Sequence, residues 1–256
     1  MHDFDGLVAL ITGGASGIGA ATAQVLADRG AHIAVLDRAP HTAGPGTLAL
    51  SADVTDPNSI SRAVAATIAQ WDRIDVVVNS AGIGAVGDIT ANDDDEWHHV
   101  WDVNVVGITR VTRASLPHLR RSPSPAVVNV CSIAATMGLP ARALYSSTKG
   151  AVLALTYAMA ADHVAEGIRV NAVAPATVDT PWVQRLVDQA DDPAAAAAQL
   201  RARQPYGRLI TPHEVATAIA GLASPSASGI TGTLLHVDAG MHSLRTSSSP
   251  IPTPRQ

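Results

Sequence analysis

The amino-acid sequence predicts one α/β domain built on a doubly wound parallel sheet. Short apolar runs alternate with helical patterns from the start of the chain, and the connections between them are brief. Several of the runs are continuous in Val and Ile, as strands are when helices cover both faces of a sheet. The chain has 256 residues, of which 47% are hydrophobic, and this suits a single large core.

The elements are predicted in strict alternation along the chain. Strands are predicted at residues 7–11, 33–36, 74–78, 127–130 and 168–173. Helices are predicted at residues 20–28, 56–71, 93–119 and 145–166. Gly30 closes the first helix, and Pro57 stands at the first turn of the second. Parallel strands joined in this way require right-handed crossovers.

Two stretches depart from this alternation. Residues 176–210 contain Pro181, an alanine run and four arginines, but no strand pattern. We expect a small helical lid over a site there, and a pair of surface helices is the alternative. The domain is expected to span residues 1–242, and the Ser- and Pro-rich residues 243–256 are expected to form a mobile tail.

Composition excludes several classes of function. The formal net charge of −5 argues against nucleic acid as a partner, because phosphate recruits basic surfaces. No apolar run is long enough to span a membrane, and the N-terminal residues MHDFDG do not look like a secretion signal. The single cysteine, Cys131, favours a reducing compartment, so we expect a cytoplasmic protein. No cluster of ligating residues has zinc spacing, and no metal is expected.

A glycine-rich turn follows the first predicted strand. Residues 12–19 read TGGASGIG, so that Gly13, Gly17 and Gly19 have the spacing G-x-x-x-G-x-G. Glycines allow the backbone to turn tightly and to approach a pyrophosphate, and the next helix directs its free N–H groups at that anion. The signal is weak alone, but its position between a strand and a helix predicts a dinucleotide site of the Rossmann type.

An acidic residue ends the second predicted strand. Asp37 lies 18 residues beyond Gly19. An acid there accepts hydrogen bonds from the adenosine hydroxyls and repels a 2′-phosphate, so Asp37 favours NAD over NADP. The neighbouring Arg38 offers a phosphate contact, which Asp37 would oppose. The alternative for Asp37 is a solvated loop acid.

A tyrosine and a lysine share one helical face near the middle of the chain. Tyr145 and Lys149 are four residues apart. A phenol holds its proton near neutral pH, and a nearby ammonium favours the phenolate. The spacing alone is common, but Ser132 lies 13 residues earlier at a predicted strand end. Open α/β sheets bind ligands at that end of their strands.

Together these residues resemble the short-chain dehydrogenase/reductase family over residues 5–242. The resemblance implies a Rossmann fold, a nicotinamide cofactor and hydride transfer between a secondary alcohol and a ketone. The motifs that carry it are residues 12–19, Asp53 with Val54, residues 79–82 (NSAG), Asn104, Ser132, Tyr145, Lys149, Pro175 and residues 237–240 (VDAG).

The resemblance assigns four catalytic roles. Tyr145 would be the general acid/base, and Ser132 would hydrogen-bond the substrate oxygen. Lys149 would bind the nicotinamide ribose and act on Tyr145. Asn104 would hold a water of the proton relay. The residues expected to bind the cofactor are Gly13, Ser16, Gly17, Ile18, Gly19, Asp37, Asp53, Val54, Asn79, Ala81, Gly82, Tyr145, Lys149, Pro175, Val178 and Thr180.

Two positions depart from the family pattern. Ser80 stands where the family usually has the second Asn of Asn-Asn-Ala-Gly, and Ala176 replaces the glycine after Pro175. We expect little effect at Ser80. If position 176 requires a positive φ, alanine there costs about 1 kcal/mol and alters the entry to the lid.

Within the family, residues 174–187 and 201–209 resemble the branch of sugar, sugar-acid and 3-hydroxybutyrate dehydrogenases. Arginines hold the carboxylate in the hydroxybutyrate members, and Arg142 and Arg203 match such positions. A third arginine matches less well, since Leu186 takes its place and Arg185 is one residue off. We therefore expect a small, polar, anionic substrate bound by Ser132, Tyr145 and these two arginines, whose alternative is surface or interface ion pairs.

Two other functions are considered besides an NAD-dependent dehydrogenase. A 3-oxoacyl-thioester reductase shares the motifs, but Asp37 and the arginines count against it. A dinucleotide-binding regulatory protein without turnover is the alternative of another class, and the presence of Tyr145 and Lys149 counts against it. The apolar face of residues 151–161 is expected to pack against a second subunit, in the homotetramer that the family implies, with packing inside the chain as the alternative.

Overall fold

Seven parallel strands form one sheet in the computed structural model of the chain, which describes residues 2–40 and 46–245. Their spatial order is β3-β2-β1-β4-β5-β6-β7. The strands are β1 (Val8–Thr12), β2 (His32–Asp37), β3 (Thr47–Ser51), β4 (Val76–Asn79), β5 (Ala126–Val130), β6 (Arg169–Pro175) and β7 (Leu234–Val237).

Helices connect the strands and cover both faces of the sheet. The α-helices are α1 (Gly17–Asp28), α2 (Pro57–Trp71), α3 (Asp94–Trp101), α4 (Gly107–Leu119), α5 (Ala143–His163), α6 (Pro181–Asp188), α7 (Pro193–Ala202) and α8 (Pro212–Ala223). Short 3₁₀ turns follow β5, α5 and α8, and one π-helical turn (Asp102–Val106) joins α3 to α4.

Two apolar layers sandwich the sheet, and β1 contributes to both. Ala9 and Ile11 belong to the layer that packs against α1 and α8. Leu10 belongs to the layer that packs against α2, α4 and α5. Every residue of β1 is buried, which explains why this strand has no polar alternation in the sequence.

The strand order places the candidate site. Successive strands run outward from β1 on one side and from β4 on the other, so the order reverses between these two neighbours. In open parallel sheets the ligand crevice lies beyond the carboxyl ends of the strands at such a reversal. Those ends are Thr12 and Asn79, which are partners in the ladder.

The predicted fold class is confirmed, with differences in particular elements. Helix α1 begins at Gly17, three residues before the predicted start, because the glycine turn leads directly into it. Strands β3 and β7 and helix α8 were not predicted. None of the residues of the two strands is fully buried, and their apolar patterns are short. The predicted helix over 93–119 contains the π-helical turn. Helix α5 ends at His163, and a 3₁₀ turn continues to Glu166.

The stretch predicted to form a lid contains the two helices α6 and α7. Thr180 caps α6 by accepting a hydrogen bond from the Val183 N–H, and Asp192 caps α7 in the same way through Ala195. The end of the stretch returns to the sheet, where Val178 bridges to Ile210. Most of the expected mobile tail, residues 246–256, lies outside the described residues.

Candidate active site

The glycine turn between β1 and α1 leaves helical N–H groups directed at the ligand end of the sheet. Gly13 and Gly17 have φ values of +65° and +52°, which favour glycine. The first hydrogen bond of α1 runs from the Ala20 N–H to the Ser16 carbonyl. The N–H groups of Gly17, Ile18 and Gly19 therefore precede the helical ladder, as an anion site requires.

Close backbone packing explains why position 19 of the turn is a glycine. A Cβ on Gly19 would overlap the Gly13 carbonyl oxygen and lie 2.7 Å from the Gly13 carbonyl carbon. A Cβ on Gly13 would lie 3.0 Å from the backbone nitrogen of Ala81. The turn thus sits between α1 and the loop after β4 without room for side chains. This geometry fits a dinucleotide pyrophosphate against the first turn of α1.

Two carboxylates, Asp37 and Asp53, line a cleft beside the glycine turn. The side chain of Asp37 accepts hydrogen bonds from the backbone N–H groups of Ala15 and Ala39, both at 3.2 Å. Asp53 accepts from the N–H and hydroxyl of Thr55. These hydrogen bonds, and to a lesser extent the positive charges of Arg38 and His99, lower the pKa of Asp53.

One cleft of about 380 Å³ joins these features. It runs from the carboxylates past the glycine turn to the loop after β4 and the start of the lid. Ten of the residues predicted to bind the cofactor line it: Gly13, Ser16, Gly17, Ile18, Asp37, Asp53, Val54, Ala81, Gly82 and Thr180.

Six of the residues predicted to bind the cofactor do not line the cleft. Tyr145 and Lys149 are two of these six, and they lie near its edge. Asn79 is buried behind it, where its amide donates to Asn129 at 2.9 Å and to Thr112 at 3.3 Å. Gly19 supports the turn by its lack of a side chain. The other two are Pro175, a buried residue of β6, and Val178, which is buried beside Ile210.

Side chains of β1 and the π-helical turn hold the loop that follows β4. The Thr12 hydroxyl accepts hydrogen bonds from the N–H groups of Ser80 and Ala81 at 3.1 Å. The Asn104 amide accepts from the Ile83 N–H at 2.8 Å and donates to the Ile83 carbonyl at 2.9 Å. Asn104 thus pairs with a backbone segment as a neighbouring strand would.

Asn104 also connects the loop to α5. It is 1% exposed, and its Nδ2 lies 3.1 Å from the Thr148 hydroxyl. Both ends of its amide are therefore engaged with the protein, and the water expected at Asn104 stays a prediction. Asn104 thus fixes the position of the Ile83 loop relative to Thr148, which precedes Lys149 on α5.

Lys149 is a buried cation close to the cleft. Its Nζ donates to the Val130 carbonyl at 2.9 Å. The same Nζ lies 3.7 Å from where a Cβ on Gly82 would stand, and 5.6 Å from the centre of the Tyr145 ring. The half-buried Tyr145 ring packs with Leu144, on a cluster that also contains Trp97 and Trp101. Lysine, tyrosine and the edge of the cleft are thus neighbours.

Ser132 and Cys131 follow β5 directly. The Ser132 hydroxyl accepts from the Ala134 N–H at 3.1 Å and begins the 3₁₀ turn that contacts α5. Cys131 lies on the buried side, where its thiol donates to the Lys149 carbonyl at 3.3 Å. Burial raises the pKa of the Cys131 thiol, which suits a packed side chain and not a nucleophile.

The two arginines predicted to bind substrate occupy different environments. Arg142 precedes α5 and donates from Nη1 to the Ala85 carbonyl at 2.9 Å. Arg203 is exposed at the end of α7 and is not among the residues that line the cleft. Arg185, which matched the family less well, does line the cleft. Ala176 does not have a positive φ, so the expected backbone strain is absent at that position.

Comparison with known proteins identifies this arrangement. A family model described as enoyl-(acyl carrier protein) reductase matches residues 13–242, which span the turn, the cleft and the Tyr–Lys pair. The chain belongs to the short-chain dehydrogenase/reductase family. Enzymes of this family are oxidoreductases that use nicotinamide dinucleotides. Ser80, the position that departs from the family pattern, still donates its N–H to Thr12.

Three relatives cover nearly all of the chain. The cis-4-hydroxycyclohexanecarboxylate dehydrogenase of Sinomonas cyclohexanicum is 41% identical over 91% of this chain and 95% of its own length. The 3-oxoacyl-[acyl-carrier-protein] reductase of Vibrio cholerae is 34% identical over 94% and 99%, respectively. The ligand-free structure of Thermoplasma acidophilum aldohexose dehydrogenase has a TM-score of 0.87 and 34% identity, with 99% of both chains covered.

Sequence reasoning missed several residues at the cleft. Trp182 and Arg185 reach it from α6, and His99 reaches it from α3. A signal for the first two exists, since they are three residues apart after the Thr180-Pro181 helix start and so share one face. His99 carries no comparable signal, because its neighbour His98 looks equivalent in the sequence.

Proposed function

We propose that the chain is an NAD-dependent dehydrogenase that interconverts a secondary alcohol and a ketone on a small, polar, anionic substrate. One observation carries the proposal. The buried Lys149 ammonium lies between Tyr145 and Gly82, at the edge of a cleft that begins at Asp37. This arrangement supports a proton-transfer pair beside the cleft that we propose for the cofactor.

Asp37 supports NAD as the cofactor. Its carboxylate lies at the end of β2 beside the glycine turn, where two backbone N–H groups orient it. A 2′-phosphate at that end would meet a negative charge, whereas ribose hydroxyls would meet an acceptor. Arg38 lines the same region of the cleft. Its positive charge also acts on the carboxylate of Asp53 and contributes to the lowered pKa of that group.

The chain's own residues supply proton transfer and orientation. The bound cofactor contributes hydride transfer at its nicotinamide. During oxidation the deprotonated Tyr145 oxygen takes the proton of the substrate hydroxyl, and during reduction the Tyr145 hydroxyl donates that proton back. The Lys149 side chain, whose Nζ lies 5.6 Å from the centre of the Tyr145 ring, binds the nicotinamide ribose, and the Ser132 hydroxyl donates to the substrate oxygen. Asn104 acts as a positioning residue, because it holds the Ile83 loop against α5.

The anionic substrate is supported by one relative and one side chain. The relative from Sinomonas is named for a substrate with both a hydroxyl and a carboxylate. Arg142 stands three residues before Tyr145 and uses Nη1 on the Ala85 carbonyl. It forms no ion pair within residues 2–40 and 46–245, so its remaining donors are available to a carboxylate. Arg203 is proposed as a second contact from the lid.

Replacing Arg142 tests the carboxylate contact. Arg142→Gln retains an N–H donor for the Ala85 carbonyl and removes the charge. We expect the KM for a hydroxy acid to rise at least tenfold, since hydrogen bonds to charged groups contribute about 1.5–3 kcal/mol. The KM for the methyl ester of the same acid should change less than twofold. Steady-state kinetics on both substrates measures this, and equal losses on acid and ester would contradict the contact.

We also propose that the enzyme is a cytoplasmic homotetramer. Residues 154, 157, 158 and 161 form an exposed stripe of alanine and tyrosine along α5, in which Tyr157 is 47% exposed. A second copy of the helix would bury this stripe.

No helix in the described ranges is long and apolar enough to cross a membrane.

A reductase of 3-oxoacyl thioesters is the second candidate. The Vibrio cholerae relative, which carries that name, covers this chain as completely as the dehydrogenase relative does. Asp37 argues against it, because the resemblance implies NADPH as the usual cofactor of such reductases. A non-catalytic dinucleotide sensor is disfavoured, since Tyr145 and Lys149 are both present and adjacent.

A further inference from the structure

Two packing contacts hold the start of helix α6 across the cleft. The methyl group of Thr180 packs on Gly17, where an added Cβ would lie 3.2 Å from the Thr180 Cγ2. The Trp182 indole packs on Gly84, in the loop after β4, so closely that a Cβ there would overlap the ring. The helix therefore lies over the first turn of α1 and reaches the opposite wall of the cleft.

Arg185 follows these contacts on the same face of α6. It is three residues after Trp182, and both side chains line the cleft together with Gly17 and Ile18. On the other side of the helix Val183 and Val187 are buried, which fixes the rotation of α6. Arg185 and the first turn of α1 thus line the same cleft.

No protein carboxylate neutralises this arginine. Arg185 forms no ion pair in the part of the chain that the structure describes. The acid closest in sequence, Asp188, accepts a hydrogen bond from the Gln184 amide at 2.9 Å. A guanidinium in this position has five N–H donors available to an anion.

We propose that Arg185 is a cofactor-binding residue that contacts the pyrophosphate of the dinucleotide from the lid. The cleft that it lines contains the glycine turn and Asp37, whereas Ser132 and Tyr145 are not among its lining residues. This location favours the cofactor over the substrate as the partner of Arg185. The inference rests on the proposed placement of a nicotinamide dinucleotide in this cleft.

Calorimetric titration of the unliganded protein tests the inference without turnover. NAD, ADP-ribose and adenosine are titrated into the wild type, Arg185→Ala, Arg185→Lys and the control Arg201→Ala. Arg201 is an exposed lid arginine on α7 that does not line the cleft. We expect Arg185→Ala to raise the Kd of NAD and ADP-ribose about tenfold and to leave adenosine unchanged, because adenosine lacks the pyrophosphate.

The variants separate the outcomes. Arg185→Lys should recover part of the affinity, and Arg201→Ala should bind like the wild type. An unchanged Kd for NAD and ADP-ribose in Arg185→Ala would overturn the inference. If that variant also showed a raised KM for a hydroxy acid, Arg185 would be a substrate residue. If the wild type bound NADP and not NAD, the proposed cofactor would be wrong, and the same titrations with NADP would decide the role of Arg185.

Discussion

Tyr145→Phe is expected to lower kcat about a thousandfold and to leave NAD binding within twofold of the wild type. The substitution removes only the hydroxyl, and proton transfer by a positioned group contributes roughly 10²–10⁴-fold to a rate. The ring retains its packing on the cluster of Ala85, Val100 and Leu144, so the fold and the cleft persist. Turnover of a substrate alcohol and calorimetric titration with NAD measure the two quantities on one preparation.

Tyr157→Phe is the matched control for this prediction. Tyr157 lies on the same helix, but its side chain is 47% exposed and does not line the cleft. We expect its kcat to equal that of the wild type. A Tyr145→Phe enzyme that retained more than a tenth of the activity would remove Tyr145 from the proton-transfer role. Loss of NAD binding in the same variant would indicate a disturbed cleft.

Gly19→Ala is expected to raise the Kd for NAD more than tenfold and to destabilise the fold. The added methyl group would overlap the Gly13 carbonyl oxygen, and the atoms it meets belong to the backbone and cannot rotate away. Helix α1 would have to shift from β1, at a cost of about 1–3 kcal/mol in the free energy of unfolding. The same shift would move the N–H groups that face the pyrophosphate position. Denaturant titration and NAD titration measure both effects.

Gly221→Ala provides the control for a glycine-to-alanine change in a helix. Gly221 lies in α8, and a Cβ there meets nothing within 4 Å. Alanine favours a helix by about 1 kcal/mol over glycine, so this variant should be as stable as the wild type or slightly more stable. Wild-type affinity for NAD in Gly19→Ala would contradict the role of the close turn.

The sequence was sufficient to predict the architecture because its strongest signals are local. Buried strands such as β1 are continuous apolar runs, and the glycine turn joins strand to helix over eight residues. Strand β3 was missed because it lies at the edge of the sheet and is only half-buried. A short edge strand of this kind has no distinct periodicity.

Family motifs were sufficient to predict ten of the residues that line the cleft. The sequence predicts less well where tertiary packing decides the direction of a side chain. Asn79 belongs to a motif, but its amide turns away from the cleft into a network with Asn129. The π-helical turn around Asn104 has no sequence signature, yet it orients the amide toward Ile83. Arg185 reaches the cleft because Trp182 and Thr180 fix the rotation of α6, which is a tertiary effect.

The most direct measurement is reduction of NAD and, separately, of NADP by a panel of alcohols. The panel contains 3-hydroxybutyrate, cis-4-hydroxycyclohexanecarboxylate, aldonic acids, their methyl esters and neutral sugars, with a 3-oxoacyl thioester offered for the reverse reaction. We expect NADH formation with hydroxy acids, little activity with their esters, and a preference for NAD that Asp37→Ser diminishes. Activity confined to the thioester and NADPH, or no turnover of any alcohol with NAD, would contradict it.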